Sequence, residues 1–111
     1  MSASGDGGSV GVLSRKPLAP EAIELTALRL KVISDPARIA LLQALNEGEG
    51  AVTDLAERTG LPHQNASHHL VVLFQAGILT RRREGKLTLY AVADWSPWWV
   101  VEQLARSTQA E

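Results

Sequence analysis

Cysteine is absent from this 111-residue sequence. A chain without thiols cannot form a disulfide framework, a thiolate metal site or a thiol redox switch, so these functions are excluded. The remaining soft chemistry falls to the three histidines of the chain, His63, His68 and His69. The roles open to these three histidines therefore limit the possible function classes more than any other feature of the composition.

Long apolar runs are also missing, because no stretch approaches the roughly 20 residues that a membrane span requires. The start of the chain lacks the basic and then apolar layout of a signal peptide. Positive and negative side chains nearly balance, with a formal net charge of −1. These features predict a globular, cytoplasmic protein with no membrane partner.

The composition divides the chain into an arm, a domain and a tail. Residues 1–16 are rich in glycine and small polar residues, which predicts a flexible N-terminal arm. Residues 17–107 carry closely spaced apolar side chains and form the predicted folded domain, and residues 108–111 are a short tail. A chain of this length is expected to hold one small domain with a modest core.

Two helices are predicted before residue 50. The first covers "APEAIELTALRLKVI", with Pro20 in its first turn. The second covers "SDPARIALLQALNEG", where Asp35 is a good N-cap and Pro36 suits the first helical position. We expect Gly48 to end this helix in the left-handed conformation.

Two shorter helices joined by a turn follow. In "AVTDLAERTG", Thr53 is the expected cap and Gly60 the expected stop. Leu61-Pro62 then turns the chain, and "HQNASHHLVVLFQAG" is a helix that ends at Gly77. Two short helices joined by a glycine-containing turn are typical of a helix-turn-helix.

A hairpin and a closing helix complete the pattern. The stretches "ILTRRR" and "KLTLYAV" are rich in β-branched and apolar residues and flank Glu84-Gly85, which predicts a hairpin turn. The stretch "DWSPWWVVEQLARS" again has helical spacing. The predicted fold class is mainly α with a small β-hairpin, a winged helix-turn-helix.

The spacing of the three histidines does not suit a metal site or a catalytic site. At about 100° per residue, His63 lies roughly 140° from His68 and roughly 120° from His69 around the helix. Two metal ligands from one helix need a spacing of three or four residues, which no pair here has. Ser67 and His68 diverge as neighbours on a helix, and their helix contains no Asp or Glu to orient an imidazole.

Polar side chains gather instead in the first half of the fourth helix, while Leu70, Leu73 and Phe74 supply its buried side. Compact donors and acceptors of this kind can meet base edges and phosphates in a major groove. His69 is expected to be packed or partly buried. The predicted DNA-contacting residues of this helix are His63, Gln64, Asn65, Ser67 and His68.

The predicted hairpin carries a basic cluster. Four cations and the single carboxylate of Glu84 give it a local charge of +3. A solvated hairpin with charged edges is the simple alternative. Because the hairpin follows a helix-turn-helix, the same cations are placed to touch neighbouring phosphates or the minor groove. These cations are Arg81, Arg82, Arg83 and Lys86.

Residues 20–106 resemble the ArsR/SmtB family of bacterial winged-helix repressors. "SDPARIALLQAL" is similar to the family's Asp-Pro-x-Arg helix, "ASHHLVVLFQAGIL" to its Ser-x-His-x-Leu recognition helix, and "RRREGKLTLYAV" to its wing. The resemblance implies a dimeric, nucleoid-associated repressor that leaves DNA when an effector binds. It also implies that the wing cations contact the DNA backbone, and that bases and phosphates are contacted by Gln64, Asn65, Ser67 and His68.

The family's metal sites are not retained. Thiolate sensors of the family have Cys-Val-Cys-Asp-Leu where this chain has Ala-Val-Thr-Asp-Leu at residues 51–55, and in the last-helix site Asp94 remains but Ser96 replaces the first His. Any sensed metal would need nitrogen and oxygen ligands, which favours Ni²⁺, Zn²⁺ or Co²⁺ over Cu(I). Asp94, Glu102 and His69 are the candidate ligands. A small apolar molecule near the tryptophans, or a second protein, are the alternative effectors.

The last helix is apolar over nearly its whole circumference, apart from a narrow polar strip at Glu102, Gln103 and Arg106. Its own domain can cover one side, and a symmetric partner is the simplest cover for the other. The predicted homodimer interface consists of Leu28, Trp95, Trp98, Trp99, Val101 and Leu104.

Together these features predict a ligand- or metal-responsive transcriptional repressor that binds an inverted-repeat operator on double-stranded DNA as a homodimer. The alternative is a winged-helix module that regulates through a partner protein without contacting DNA, since a fold does not fix a function. An enzyme is not predicted, because no catalytic site assembles from these residues.

Overall fold

The structure, a computed structural model, describes residues 16–109. The predicted arm lies outside the described residues except for Lys16, and so do residues 110–111 of the predicted tail. The elements in chain order are α1 (Pro20–Ile33), α2 (Pro36–Leu45), β1 (Gly50–Ala51), α3 (Val52–Thr59), α4 (His63–Gln75), β2 (Leu79–Glu84), β3 (Leu87–Val92) and α5 (Ser96–Gln109). Helix α5 thus extends two residues into the segment assigned to the tail. The predicted mainly helical winged fold is confirmed.

Helices α1 and α2 begin where their local sequence signals indicate. Pro20 lies in the first turn of α1, and the Asp35 carboxylate caps α2 by accepting hydrogen bonds from the backbone N–H groups of Ala37 (2.8 Å) and Arg38 (3.2 Å). The predicted stop at Gly48 is wrong. Helix α2 ends at Leu45, and its C-cap residue Asn46 keeps right-handed backbone angles.

The helix-turn-helix is formed by α3 and α4. Ala51 is the N-cap residue of α3, so the cap predicted at Thr53 is wrong: its position is already inside the helix. Gly60 ends α3 as predicted, with φ of +76°, a left-handed conformation that costs other residues energy. The chain then turns through Leu61-Pro62, and α4 begins at His63.

The wing is a three-stranded antiparallel sheet in the order β1-β3-β2. Strands β2 and β3 pair from Leu79↔Val92 to Glu84↔Leu87, so the two turn residues are Gly85 and Lys86, one position later than predicted. Gly85 has φ of +60°, as two-residue hairpin turns require. Strand β1 was not predicted, and it pairs with the far side of β3.

The core lies between α2, α3, α4 and the base of the wing. Its largest fully buried side chains are Leu41, Leu42, Leu55, Leu70, Leu73 and Ile78. Leu70 and Leu73 hold the second half of α4 in this core, and Ala66 is the buried residue of its first half. Within the described residues, no helix has the length and apolar character needed to cross a bilayer.

Candidate nucleic-acid interface

The first half of α4 presents polar side chains to solvent. His63, Gln64, Asn65 and His68 are exposed, and Ser67 is half-buried. Ala66, Leu70 and Leu73, which are buried, recur at the spacing of one helix face. Of the five residues that were predicted for this helix, four are therefore exposed in its first half and Ser67 is partly covered.

His69 has a packing role in this structure. Its side chain is half-buried, and its Nδ1 accepts a hydrogen bond of 3.0 Å from Nε of Arg38 on α2. Nη1 of Arg38 also donates to the Val32 carbonyl of α1 at 2.9 Å. The expectation of a packed His69 is confirmed. Arg38 of α2 thus contacts both α1 and α4 through hydrogen bonds. The sequence indicated Arg38 only as part of the Asp-Pro-x-Arg motif.

The wing cations differ in their surroundings. The guanidinium carbon of Arg81 lies 4.0 Å from the centroid of the Phe74 ring, and its Nη1 is 3.5 Å from the hydroxyl of the buried Tyr90. A cation above an aromatic face is attracted by the ring. Arg81 is thus partly engaged at the junction between α4 and the sheet.

Arg82 is paired with carboxylates. Its Nε and Nη2 donate to the two carboxylate oxygens of Glu49 at 3.2 and 2.7 Å, and Nη2 is 3.6 Å from Glu84. The hydrogen bond from Arg82 lowers the pKa of Glu49 from its ordinary value. Sequence reasoning missed Glu49, which lies 33 positions before its partner. Counting it, four cations face two carboxylates, and the local charge is +2 rather than +3.

Arg83 and Lys86 are the least engaged of the wing cations. Both are exposed, and Arg83 makes one long contact of 3.5 Å from its Nη2 to the carbonyl of Gly85. Lys86 occupies the hairpin turn itself. These two side chains can therefore reach an approaching phosphate without breaking an ion pair.

The chain is similar to known transcriptional regulators. Residues 33–82 match a family described as a helix-turn-helix domain. The HTH-type transcriptional regulator NmtR of Mycobacterium tuberculosis is 35% identical over 78 residues, which are 70% of this chain and 65% of NmtR. The transcriptional repressor SdpR of Bacillus subtilis is 36% identical over 62 residues, 56% of this chain and 69% of SdpR. The chain spans 57 to 65% of the length of three of the curated relatives that it matches, NmtR among them.

Solved structures extend this likeness to the whole fold. The antimony-specific repressor AntR superimposes with a TM-score of 0.77 at 26% identity, covering 95% of this chain and 100% of AntR. The homodimeric winged helix-turn-helix domain of Mb0332 from Mycobacterium bovis, a possible ArsR-family regulator, superimposes with a TM-score of 0.68 at 25% identity, covering 89% of this chain and 94% of that domain. The chain belongs to the ArsR/SmtB family of transcriptional regulators.

In this ArsR/SmtB chain, the candidate metal ligands have other partners. The Asp94 carboxylate accepts hydrogen bonds from the backbone N–H (3.0 Å) and hydroxyl (2.8 Å) of Ser96 and forms an ion pair with Arg29 of α1. These contacts, the Ser96 backbone first, lower the pKa of Asp94 to about 2. Glu102 pairs with Arg106 at 2.9 Å. Among residues 16–109, no group of three or more His, Cys, Asp or Glu side chains could hold a metal ion.

The predicted interface residues of this family member fall into two groups. Leu28, Trp95, Trp99 and Leu104 are exposed, whereas Val101 is buried in the core of its own chain and Trp98 is half-buried against that core. Val101 and Trp98 thus pack against the core of their own subunit, although Val101 also lines a groove between α1 and α5. The exposed group continues on α1, and we call the whole set the α1–α5 surface: Ile23, Leu25, Leu28, Leu30, Trp95, Trp99 and Leu104.

Proposed function

We propose that this chain is a sequence-specific DNA-binding transcriptional repressor that binds an inverted-repeat operator as a homodimer. The observation that carries the proposal is the exposed polar half of α4, followed in the chain by a wing with Arg83 on β2 and Lys86 in its turn. A rigid helix end of this kind fits a major groove, and the wing cations then reach flanking phosphates. Relatives named as repressors support the same function.

The α1–α5 surface supports a homodimer. Leu28 of α1 is 60% exposed and Leu104 of α5 is 66% exposed, so both helices leave large apolar side chains in solvent. An apolar groove of about 460 Å³ between α1 and α5 is lined by Leu30, Val100, Leu104 and their neighbours. A second copy of the chain, as in the homodimeric Mb0332 domain, covers such a surface by two-fold symmetry.

The effector is proposed by class only. Relatives include a probable mercury resistance operon repressor, and a structural neighbour is described as antimony-specific. This chain has no cysteine, so we propose a ligand that acts on the α1–α5 surface, with a Ni²⁺, Zn²⁺ or Co²⁺ site as the alternative. Such a metal site would have to draw nitrogen and oxygen ligands from both protomers.

Two substitutions in α4 test the DNA-binding function. Ser67→Ala and His68→Ala remove base-edge contacts, so we expect specific affinity to fall by about 1–3 kcal/mol each, with little change in non-specific affinity. The measurement is fluorescence anisotropy with a duplex enriched from a random pool, and with a scrambled duplex. Gln43→Ala, an exposed position on α2, is the matched control.

Two outcomes would count against the proposal. If the α4 variants bound the enriched duplex like the native protein, α4 would not be the sequence-recognising element. If the native protein bound neither duplex, the protein-only module would replace the DNA-binding function.

A further inference from the structure

The ion pair between Arg82 and Glu49 crosses the full width of the wing. Arg82 lies on β2, Glu49 directly precedes β1, and β3 separates them. Two strand spacings amount to about 10 Å, so the two long side chains meet above the central strand. Arg82 is therefore drawn toward the far edge of the sheet.

We propose that Glu49 competes with DNA phosphate for Arg82 and thereby limits sequence-independent DNA binding. This inference rests on the proposed DNA-binding function and adds a residue that limits its sequence-independent part. Glu49 acts through Arg82 and from outside both α4 and the hairpin.

The guanidinium atoms that Glu49 contacts indicate that it competes with phosphate for Arg82 and does not merely orient this side chain. Glu49 accepts from both Nε and Nη2, at 3.2 and 2.7 Å, which is the forked arrangement that a phosphate would also use. Nη2 is additionally 3.6 Å from Glu84. Arg82 cannot offer this fork to a phosphate without releasing Glu49.

The exposure of the pair makes that exchange accessible. The side chains of Arg82 and Glu49 are 52% and 41% exposed. A phosphate can reach the guanidinium directly, and salt screens an exposed pair of this kind. The cost of releasing Glu49 falls on every DNA sequence equally, because the backbone carries no sequence information. The ion pair therefore lowers the affinity of the wing for all duplexes by the same factor.

The chain supplies a matched control in Glu47. This residue carries the same charge two positions away and is 78% exposed, but its partner is Arg58 of α3, at 3.8 Å. Glu47→Gln therefore makes the same change in net charge without freeing a wing cation. The difference between the Glu49 and Glu47 variants isolates the effect that passes through Arg82.

The test compares Glu49→Gln, Glu47→Gln, Arg82→Gln and the double variant Glu49→Gln/Arg82→Gln in the full chain. The probe is a random-sequence duplex pool of about 40 base pairs, titrated by anisotropy at several salt concentrations. We expect Glu49→Gln to bind roughly 3- to 10-fold more tightly at low salt, with a salt slope steeper by about 0.9, the value of one added phosphate contact. Glu47→Gln should leave the slope unchanged.

The double variant decides whether Glu49 acts through Arg82. We expect Glu49→Gln to add nothing to the salt slope in the Arg82→Gln background. The inference is overturned if Glu49→Gln matches Glu47→Gln, if it weakens binding, or if its steeper slope persists without Arg82. If neither the native protein nor any variant binds the pool, the proposed DNA-binding function itself is wrong. Circular dichroism confirms that each exposed substitution leaves the fold intact.

Discussion

The wing shows how residues of one type acquire different roles. Three consecutive arginines are indistinguishable in sequence, but Arg81 lies against Phe74, Arg82 is held by Glu49, and Arg83 extends into solvent. Because side chains alternate along a strand, Arg82 lies on one face of the sheet, and Arg81 and Arg83 lie on the other. We therefore expect their contributions to DNA affinity and to stability to separate as well.

Substitution of Arg83 should mainly reduce DNA affinity, whereas substitution of Arg81 should mainly reduce the stability of the fold. Arg83→Ala should weaken binding to all duplexes and reduce the salt slope by about 1, because a free cation near phosphate is lost. Arg81→Ala should instead destabilise the fold by about 0.5–1 kcal/mol through loss of its contact with Phe74. Anisotropy and urea unfolding of both variants provide the measurement, with Lys86→Ala expected to resemble Arg83→Ala. Equal effects of Arg81→Ala and Arg83→Ala on the salt slope would show that the Phe74 contact does not divert Arg81 from DNA.

Local sequence signals were sufficient to predict the helices, but elements that depend on contacts between distant residues could not be predicted. The caps at Asp35 and Gly60 use hydrogen bonds and backbone angles within a few residues, so sequence spacing was sufficient to place them. Strand β1 is only two residues long and exists through pairing with β3, as in Gly50↔Tyr90. No local pattern encodes such a strand.

The same distinction applies to the candidate site. The exposed residues of α4 were predictable because helical periodicity separates them from the buried Leu70 and Leu73. The partners Glu49 and Arg38 were not, since their contacts join positions 33 and 31 residues apart. On α5, an apolar composition could not reveal which side chains the subunit itself buries, such as Val101.

The start of α5 depends on a carboxylate that should give acid-sensitive stability. The folded-state pKa of Asp94 is about 2 and its ordinary value is 3.8. A lowered pKa means that the stabilisation is complete above about pH 4 and is lost as the pH falls toward 2. Asp94→Asn should cost about 1 kcal/mol at neutral pH, a value reduced for a side chain partly exposed to solvent.

Urea unfolding followed by tryptophan fluorescence, at one protein concentration and a series of pH values, measures this effect. The native protein and Asp94→Asn should differ by a constant amount above pH 4 and converge toward pH 2. Glu102→Gln, which removes an exposed pair on the same helix, is the control and should change little. A difference that stayed constant down to pH 2 would contradict the role given to the Asp94 charge.

Over residues 16–109, the side chains of the α1–α5 surface are not covered by the rest of the domain. Helix α1 exposes apolar side chains from Ile23 to Leu30, Trp95 is exposed just before α5, and α5 itself exposes Trp99 and Leu104. The core proper lies on the other side, against α2, α3 and α4. A two-fold dimer through the α1–α5 surface would bury these side chains and place two copies of α4 on one DNA face, with half-site centres about 10 base pairs apart.

Native mass spectrometry of the protein, free and mixed with the enriched duplex, measures the stoichiometry of this dimer. We expect the free protein to be a dimer at micromolar concentration and two protomers to bind each inverted repeat. Leu28→Glu/Leu104→Glu should yield monomers that bind the duplex weakly, whereas Leu87→Glu, an exposed apolar position on the wing, should remain dimeric. A native protein that is monomeric when free and that saturates the duplex with a single protomer would rule out the α1–α5 dimer as the DNA-binding form.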